Sequence, residues 1–377
     1  MVVRVGAFCF LGGLTAACGQ ILGLDAIDYN VRDGGVSLPG VDASVDSLVL
    51  PVDAGGSSMD QVAIDSATPP SGPLTLAQGP SGAQGIAVDD ARIYWVVGGA
   101  NGSVFSVLKD GSGMTTIASG QPFPVDVAVV GTSVYWSVVP GGAGAQCMAM
   151  VASTPGSAPA GADAGPSCVT SSADTTVRMA IGGGGLVLLA QGTGANAAKE
   201  FIGVATPGSA YTNVQAAGPA EALAATSQRA FLSNKNGDHI DEVVLPGLTP
   251  GLIACLSNCG TAPAVDVTVD VLTTNLFWIT QNGGVFTAPI AVSNGKGTQL
   301  AQLPGSLVRV ARDASFVYAT GLGSSVLAVP IAQVGDAGAF QSLASAENQP
   351  FGIAVDQNAV YWTTADGEVR TVGVPVP

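Results

Sequence analysis

From residue 74 onward the chain alternates in short bursts. Apolar runs of five to seven residues are cut by turn formers, and none carries a helical period. One unit shows the pattern. GIAVD (85–89) is small and apolar, RIYWVVG (92–98) is aromatic and β-branched, SVFSVLK (103–109) alternates, and MTTIAS (114–119) ends the unit. Asp90-Ala91, Gly98 to Gly102 and Asp110-Gly111-Ser112-Gly113 are the turns between them. Four short antiparallel strands are predicted. The opening of the unit, GIAVDDARIYW from Gly85 to Trp95, returns as GIAVDQNAVYW from Gly352 to Trp362. Weaker copies align between them on Trp136, Leu188, Leu232, Trp278 and Ala319, with anchor spacings of 41, 52, 44, 46, 41 and 43 residues. A fixed period of this length marks a solenoid, propeller or array, and four strands in roughly 40–50 residues make one propeller blade.

Seven copies predict an all-β fold, a seven-bladed β-propeller; six or eight blades are the weaker alternatives. Leu74 to Gly79 matches the fourth-strand endings Thr116 to Gly120 and Gln299 to Leu303, while the last copy stops after three strands. The N-terminal strand is therefore expected to complete the seventh blade, leaving no terminal edge. Ala87, Ala128, Ala180, Ala224, Ala311 and Ala354 recur in the first strands and are expected to line a crowded channel. The Tyr and Trp of the second strands are expected between blades, where large apolar area is most useful.

Composition agrees with strands and turns: 52 glycines, 23 prolines, 47% apolar and only 10% charged residues. Runs suited to long helices are missing. The net charge is −15 and the 12 basic residues are scattered, so the basic patch that a nucleic-acid binder needs is missing. Residues 24–73 hold eight Asp and one Arg without a sustained period, and end in Pro69-Pro70-Ser71-Gly72-Pro73. Such a segment buries too little apolar surface to offset its ordering entropy and is expected to be a disordered tether.

At the N-terminus, Arg4 precedes an apolar run from Val5 to Leu14, then Thr15-Ala16-Ala17-Cys18. This is the pattern of a secretory signal, too short to span a bilayer comfortably. Small residues before Cys18 resemble a bacterial lipobox, with Leu14 one place early and Thr15 in its position. The alternative is an ordinary signal peptide with an incidental cysteine. GQILGLDAIDY after Cys18 resembles the start of myxobacterial surface lipoproteins. The resemblance implies acylation of Cys18, a membrane partner through the lipid, and, since Gly19 is not Asp, the outer membrane. The expected organisation is a signal peptide over 1–17, a lipidated acidic tether over 18–73 and a propeller over 74–377.

Cys147, Cys168, Cys255 and Cys259 remain, an even number in an oxidising compartment. Three pairings exist; Cys147–Cys168 and Cys255–Cys259 are favoured because each falls within one copy. A zinc site is the rival, disfavoured by a single histidine and no C-x-x-C.

The I-A-V-D-x(4)-Y-W pattern resembles YWTD and NHL-type propeller repeats, over residues 74–377. It is clear in copies one and seven and faint in three, four and six. YWTD propellers usually have six blades, against seven copies here. The resemblance implies a rigid binding platform and names no ligand.

Candidate chemistry is sparse. Asp89, Asp270 and Asp356 end first strands and are expected to hold the following turn, rather than to form a ring of catalytic acids. Asn234, Asn236, Asp238, Asp241 and Glu242 lie in a stretch that resembles the calcium loop of integrin-type propeller repeats. Asn234 replaces its first Asp and His239 its turning Gly, so a polar hairpin with an Asn-Gly turn is the preferred reading. His239 is the sole histidine, which argues against a Ser-His-Asp triad. The glycines at 182–185 lack the Lys-Ser/Thr of a phosphate loop. No cofactor is expected, calcium being the weak alternative. The expected function is a monomeric cell-envelope lipoprotein presenting a non-catalytic module that binds protein or glycan. A propeller enzyme of lyase or lactonase type with a carboxylate and calcium site is the alternative. Three or more polar residues converging on the channel would favour the enzyme.

Overall fold

The computed structural model describes residues 72–376, all within the unit Ser66–Pro377, except 140–145, 157–165, 173–174, 183–184, 192–199, 206–211, 216–219, 235–239, 246–248, 254–263, 271–274, 291–296 and 333–338. Cys18, the tether up to residue 71, His239 and the proposed Cys255–Cys259 pair lie outside the described residues.

Among the described residues, twenty-eight strands form seven four-stranded antiparallel sheets, arranged as a seven-bladed propeller. Blade one is β2 (Ala83–Val88), β3 (Arg92–Val97), β4 (Gly102–Leu108) and β5 (Thr115–Gln121), in chain order from the axis outward. The innermost strands of blades two to seven are β6 (Val127–Val130), β10 (Thr175–Gly182), β14 (Ala220–Ala225), β18 (Ala264–Val269), β22 (Leu307–Arg312) and β26 (Ile353–Val355). Each packs beside the next, and β26 returns to β2. Blade seven is β26, β27 (Ala359–Thr363), β28 (Glu368–Gly373) and finally β1 (Leu74–Gln78), with Leu74 opposite Thr371. The N-terminal strand thus closes the ring, as the repeat boundaries predict.

The core is divided among the seven gaps between blades. Trp95 packs in the gap toward blade seven with Phe105, Tyr361 and Val369, while Tyr94 faces blade two with Val127 and Trp136. The four anchor tryptophans are fully buried. Trp to Ala at such a site costs roughly 3–5 kcal/mol.

The recurring alanines differ from expectation. Ala87 packs in the gap between blades one and two, and Ala224 in that between four and five. The cause is geometric. A blade stands with its faces toward its neighbours, so the innermost strand turns its backbone edge to the channel and its side chains to the gaps. Alanine is small there because the blades converge.

Hydrogen bonds join the blades near the axis. Thr363 Oγ1 accepts from Gly352 N at 2.9 Å and donates to Gln84 O at 2.7 Å. Thr320 Oγ1 likewise donates to Phe351 O at 2.7 Å. The blades touch closely enough here that a Cβ on Gly85 would stand 2.6 Å from Val125 O, and one on Gly352 would clash with Gln84 O.

In blade two, β8 (Gln146–Ser153) and β9 (Ser167–Ser172) are joined by the Cys147–Cys168 disulfide, with Cα atoms 5.8 Å apart. This pairing matches the sequence expectation.

Candidate functional site at the channel mouth

Strand order fixes which residues share an end of the propeller. Each innermost strand starts at one face, the second ends there, the third starts there and the fourth ends there. Second-to-third and fourth-to-first connections therefore all emerge on that face, here called the mouth.

The register defines one equivalent position at the mouth, the residue just before the one paired with the anchor. Pairs such as Ile86 with Trp95, Met179 with Leu188, Val267 with Trp278 and Val310 with Ala319 give it. Around the ring it reads Gly85, Asp126, Arg178, Ala222, Asp266, Arg309 and Gly352. Two acids and two arginines thus occupy four of the seven equivalent positions.

These side chains reach forward to the next blade. Asp126 Oδ2 accepts from Met179 N at 3.1 Å, and Asp266 Oδ2 from Val310 N at 2.8 Å. Arg309 lies over the Phe351 ring, 4.5 Å from its centroid. Asp266 is 8% exposed, and burial pushes its carboxyl above the usual range, opposed by Arg309 and Arg178. Arg178 is two blades from Asp266, with the small Ala222 at the intervening position. Asp126, Arg178 and Arg309 are partly exposed.

The loops of this face carry the backbone strain. Phe123, Ser324, Ala346 and Gln349 have φ of 44°, 64°, 60° and 47°, and they are the non-glycine residues at positive φ among the described residues. All four lie in mouth connections. Two exposed apolar side chains, Phe123 at 47% and Leu322 at 59%, share them.

The repeat carboxylates sit at the opposite face and hold turns. Asp89 Oδ1 accepts from Ala91 N and Arg92 N at 2.8 and 2.7 Å, and its Oδ2 accepts from Tyr94 Oη at 2.7 Å. Asp313 and Asp356 repeat the device with Tyr318 and Tyr361. Burial and the adjacent carboxylate raise all three tyrosine pKa values. Asp270 pairs with Arg312 at 2.7 Å across blades five and six, and the turn that follows it lies outside the described residues. Asp356 pairs with Lys109 at 2.7 Å across the seam between blades seven and one.

The calcium-like stretch straddles two strands, and its middle, 235–239, lies outside the described residues. Asn234 ends β15 (Arg229–Asn234), and Asp241 and Glu242 lie on β16 (Ile240–Val244). As strand neighbours they point to opposite sheet faces. Glu242 pairs with Arg229 at 2.8 Å, and Asp241 is buried. Asn236 and Asp238 lie outside the described residues. Among the described residues no three His, Cys, Asp or Glu side chains are grouped to hold a metal.

No family model matches the chain, and no curated protein matches it by sequence. Solved structures do match by shape. Virginiamycin B lyase from Staphylococcus aureus is 11% identical over 80% of this chain and 98% of its own, with a TM-score of 0.58. YCF48 bound to D1 peptide is 10% identical over 81% of this chain and 95% of its own, also at 0.58. The computationally designed Ika8 protein is 12% identical over 80% and 98%, at 0.54. At these identities the likeness establishes the propeller fold, and it spans a lyase, a peptide-bound protein and a designed chain.

Proposed function

We propose that this protein is an extracytoplasmic lipoprotein, anchored in the outer membrane through Cys18, whose monomeric propeller is a non-catalytic module binding a protein or glycan at its mouth. The observation that carries the proposal is the gathering of all four strained non-glycine residues of the described chain on the mouth loops. Strain of order 1–3 kcal/mol per residue persists where surrounding structure holds it, and it concentrates at functional sites. Recognition also belongs to loops on a rigid scaffold. Among the described residues the opposite face has no non-glycine residue at positive φ, and its Asp89, Asp313 and Asp356 hold turns while Asp270 and Asp356 form ion pairs.

The alternative, a propeller enzyme of lyase or lactonase type, draws on the polar residues at the channel, which number four at the mouth position. Asp266, buried beside two arginines with a raised pKa, has the setting of a catalytic acid. Binding is preferred because Asp126 and Asp266 each accept a main-chain N–H of the adjoining blade, a structural task.

A photo-crosslinking amino acid placed at Leu322, on the mouth, tests the proposal against one at Met114, which is 43% exposed on the opposite face. In cells carrying the full chain, defined adducts from position 322 and none from 114 are expected. Equal adducts from both positions, or none from 322, would overturn it.

A further inference from the structure

Building on the binding role proposed above, we infer that the mouth position is a site for a small zwitterion of the amino-acid or short-peptide class, its ammonium held by Asp126 and its carboxylate by Arg178 and Arg309. The four charges occupy the same register on inner strands that run side by side, so they open onto one mouth. With Asp266 buried, one acid, Asp126, and two arginines remain to meet a ligand, which fits one carrying both charges better than a cation alone.

The four do not play equal parts. Asp266 is more than nine-tenths buried, accepts from Val310 N, and feels both Arg309 and Arg178. Its negative charge acts on both guanidinium groups, which come from different blades. Arginine suits the carboxylate because its planar fork matches two oxygens at once. Asp126 spends Oδ2 on Met179 N, its Oδ1 makes no hydrogen bond among the described residues, and the residue is partly exposed. A carboxylate has about four acceptor positions, so an ammonium can be added without breaking the existing bond. The glycines at the same position in blades seven and one, and Ala222 in blade four, leave the remaining circumference without side-chain bulk. In a protein of net charge −15, an anionic ligand alone would meet a repelling surface, whereas a zwitterion would not.

The test is calorimetric titration of the full-length chain with the dipeptide Ala-Ala, its N-acetyl form and its C-terminal amide. Saturable binding of Ala-Ala is expected, weakened about tenfold or more by either cap, a loss of about 1.4 kcal/mol. Asp126→Asn keeps an acceptor for Met179 N and should preserve the fold. In that variant the free and N-acetyl forms should bind alike, while the amide remains the weaker ligand. No binding of Ala-Ala, or binding indifferent to both caps, would overturn the inference. So would an Asp126→Asn variant that melts like the parent and still discriminates the N-acetyl form. Crosslinks at Leu322 that persist after such a failure would leave the binding face standing and remove only the zwitterion.

Discussion

Single residues at the blade gaps show how equivalent positions diverge. Trp136 Nε1 donates to Gln121 Oε1 and Trp362 Nε1 to Glu347 Oε2, both at 2.9 Å, from the same place in the repeat. Trp95 has Pro80 at that place in the chain, and its Nε1 has no hydrogen-bond partner among the described residues. Replacing each tryptophan by phenylalanine separates volume from hydrogen bonding. Trp362→Phe also leaves Glu347, which is 4% exposed, short of a donor. We expect it to cost roughly 1–3 kcal/mol more than Trp95→Phe, read from urea unfolding midpoints. Equal costs would mean that the indole N–H bonds contribute nothing.

At the scale of strands and turns, the seam between blades seven and one depends on an ion pair as well as on β1. Burial opposes the charge on Asp356, but the Lys109 ammonium with the amides of Asn358 and Ala359 more than offsets it and holds the carboxyl below its usual range. A carboxyl lowered in the folded state binds fewer protons there than in the unfolded chain. Its contribution is full above the unfolded value of about 3.9 and is lost as pH falls through the folded value. Lys109→Met should therefore lower stability at pH 7 by about 1 kcal/mol, given partial exposure, and by almost nothing near pH 2. A pH-independent difference would assign the loss to packing. The elements themselves were legible in sequence because repetition amplifies them: Tyr94 and Trp95 recur as Tyr361 and Trp362, and Asp89 recurs as Asp356 holding the same turn. The mouth charges were not. Asp126, Arg178, Asp266 and Arg309 differ from copy to copy, so alignment on likeness passes over them. Asp266 is further hidden because it stands twelve residues before its anchor Trp278, whereas Gly85 stands ten before Trp95. The alanines misled for another reason: their spacing reports crowding near the axis, but only blade orientation decides that they face the gaps.

For the whole molecule, the described strands of the propeller lie between Leu74 and Gly373, and the proposed role depends on where it is held. Cys18→Ser should release the protein from the envelope into the soluble fraction, with the propeller's melting temperature unchanged. Retention in the membrane fraction would remove the lipid anchor from the proposal. The pairing of β1 with β28 also orders events in the life of the chain. Leu74 is synthesised early, yet its partner Thr371 comes nearly 300 residues later. Until Glu368–Gly373 has been made, the last blade cannot form and the ring stays open. A chain passing N-terminus first through a translocation channel would thus remain threadable throughout its passage, and ring closure would report that the final blade had arrived.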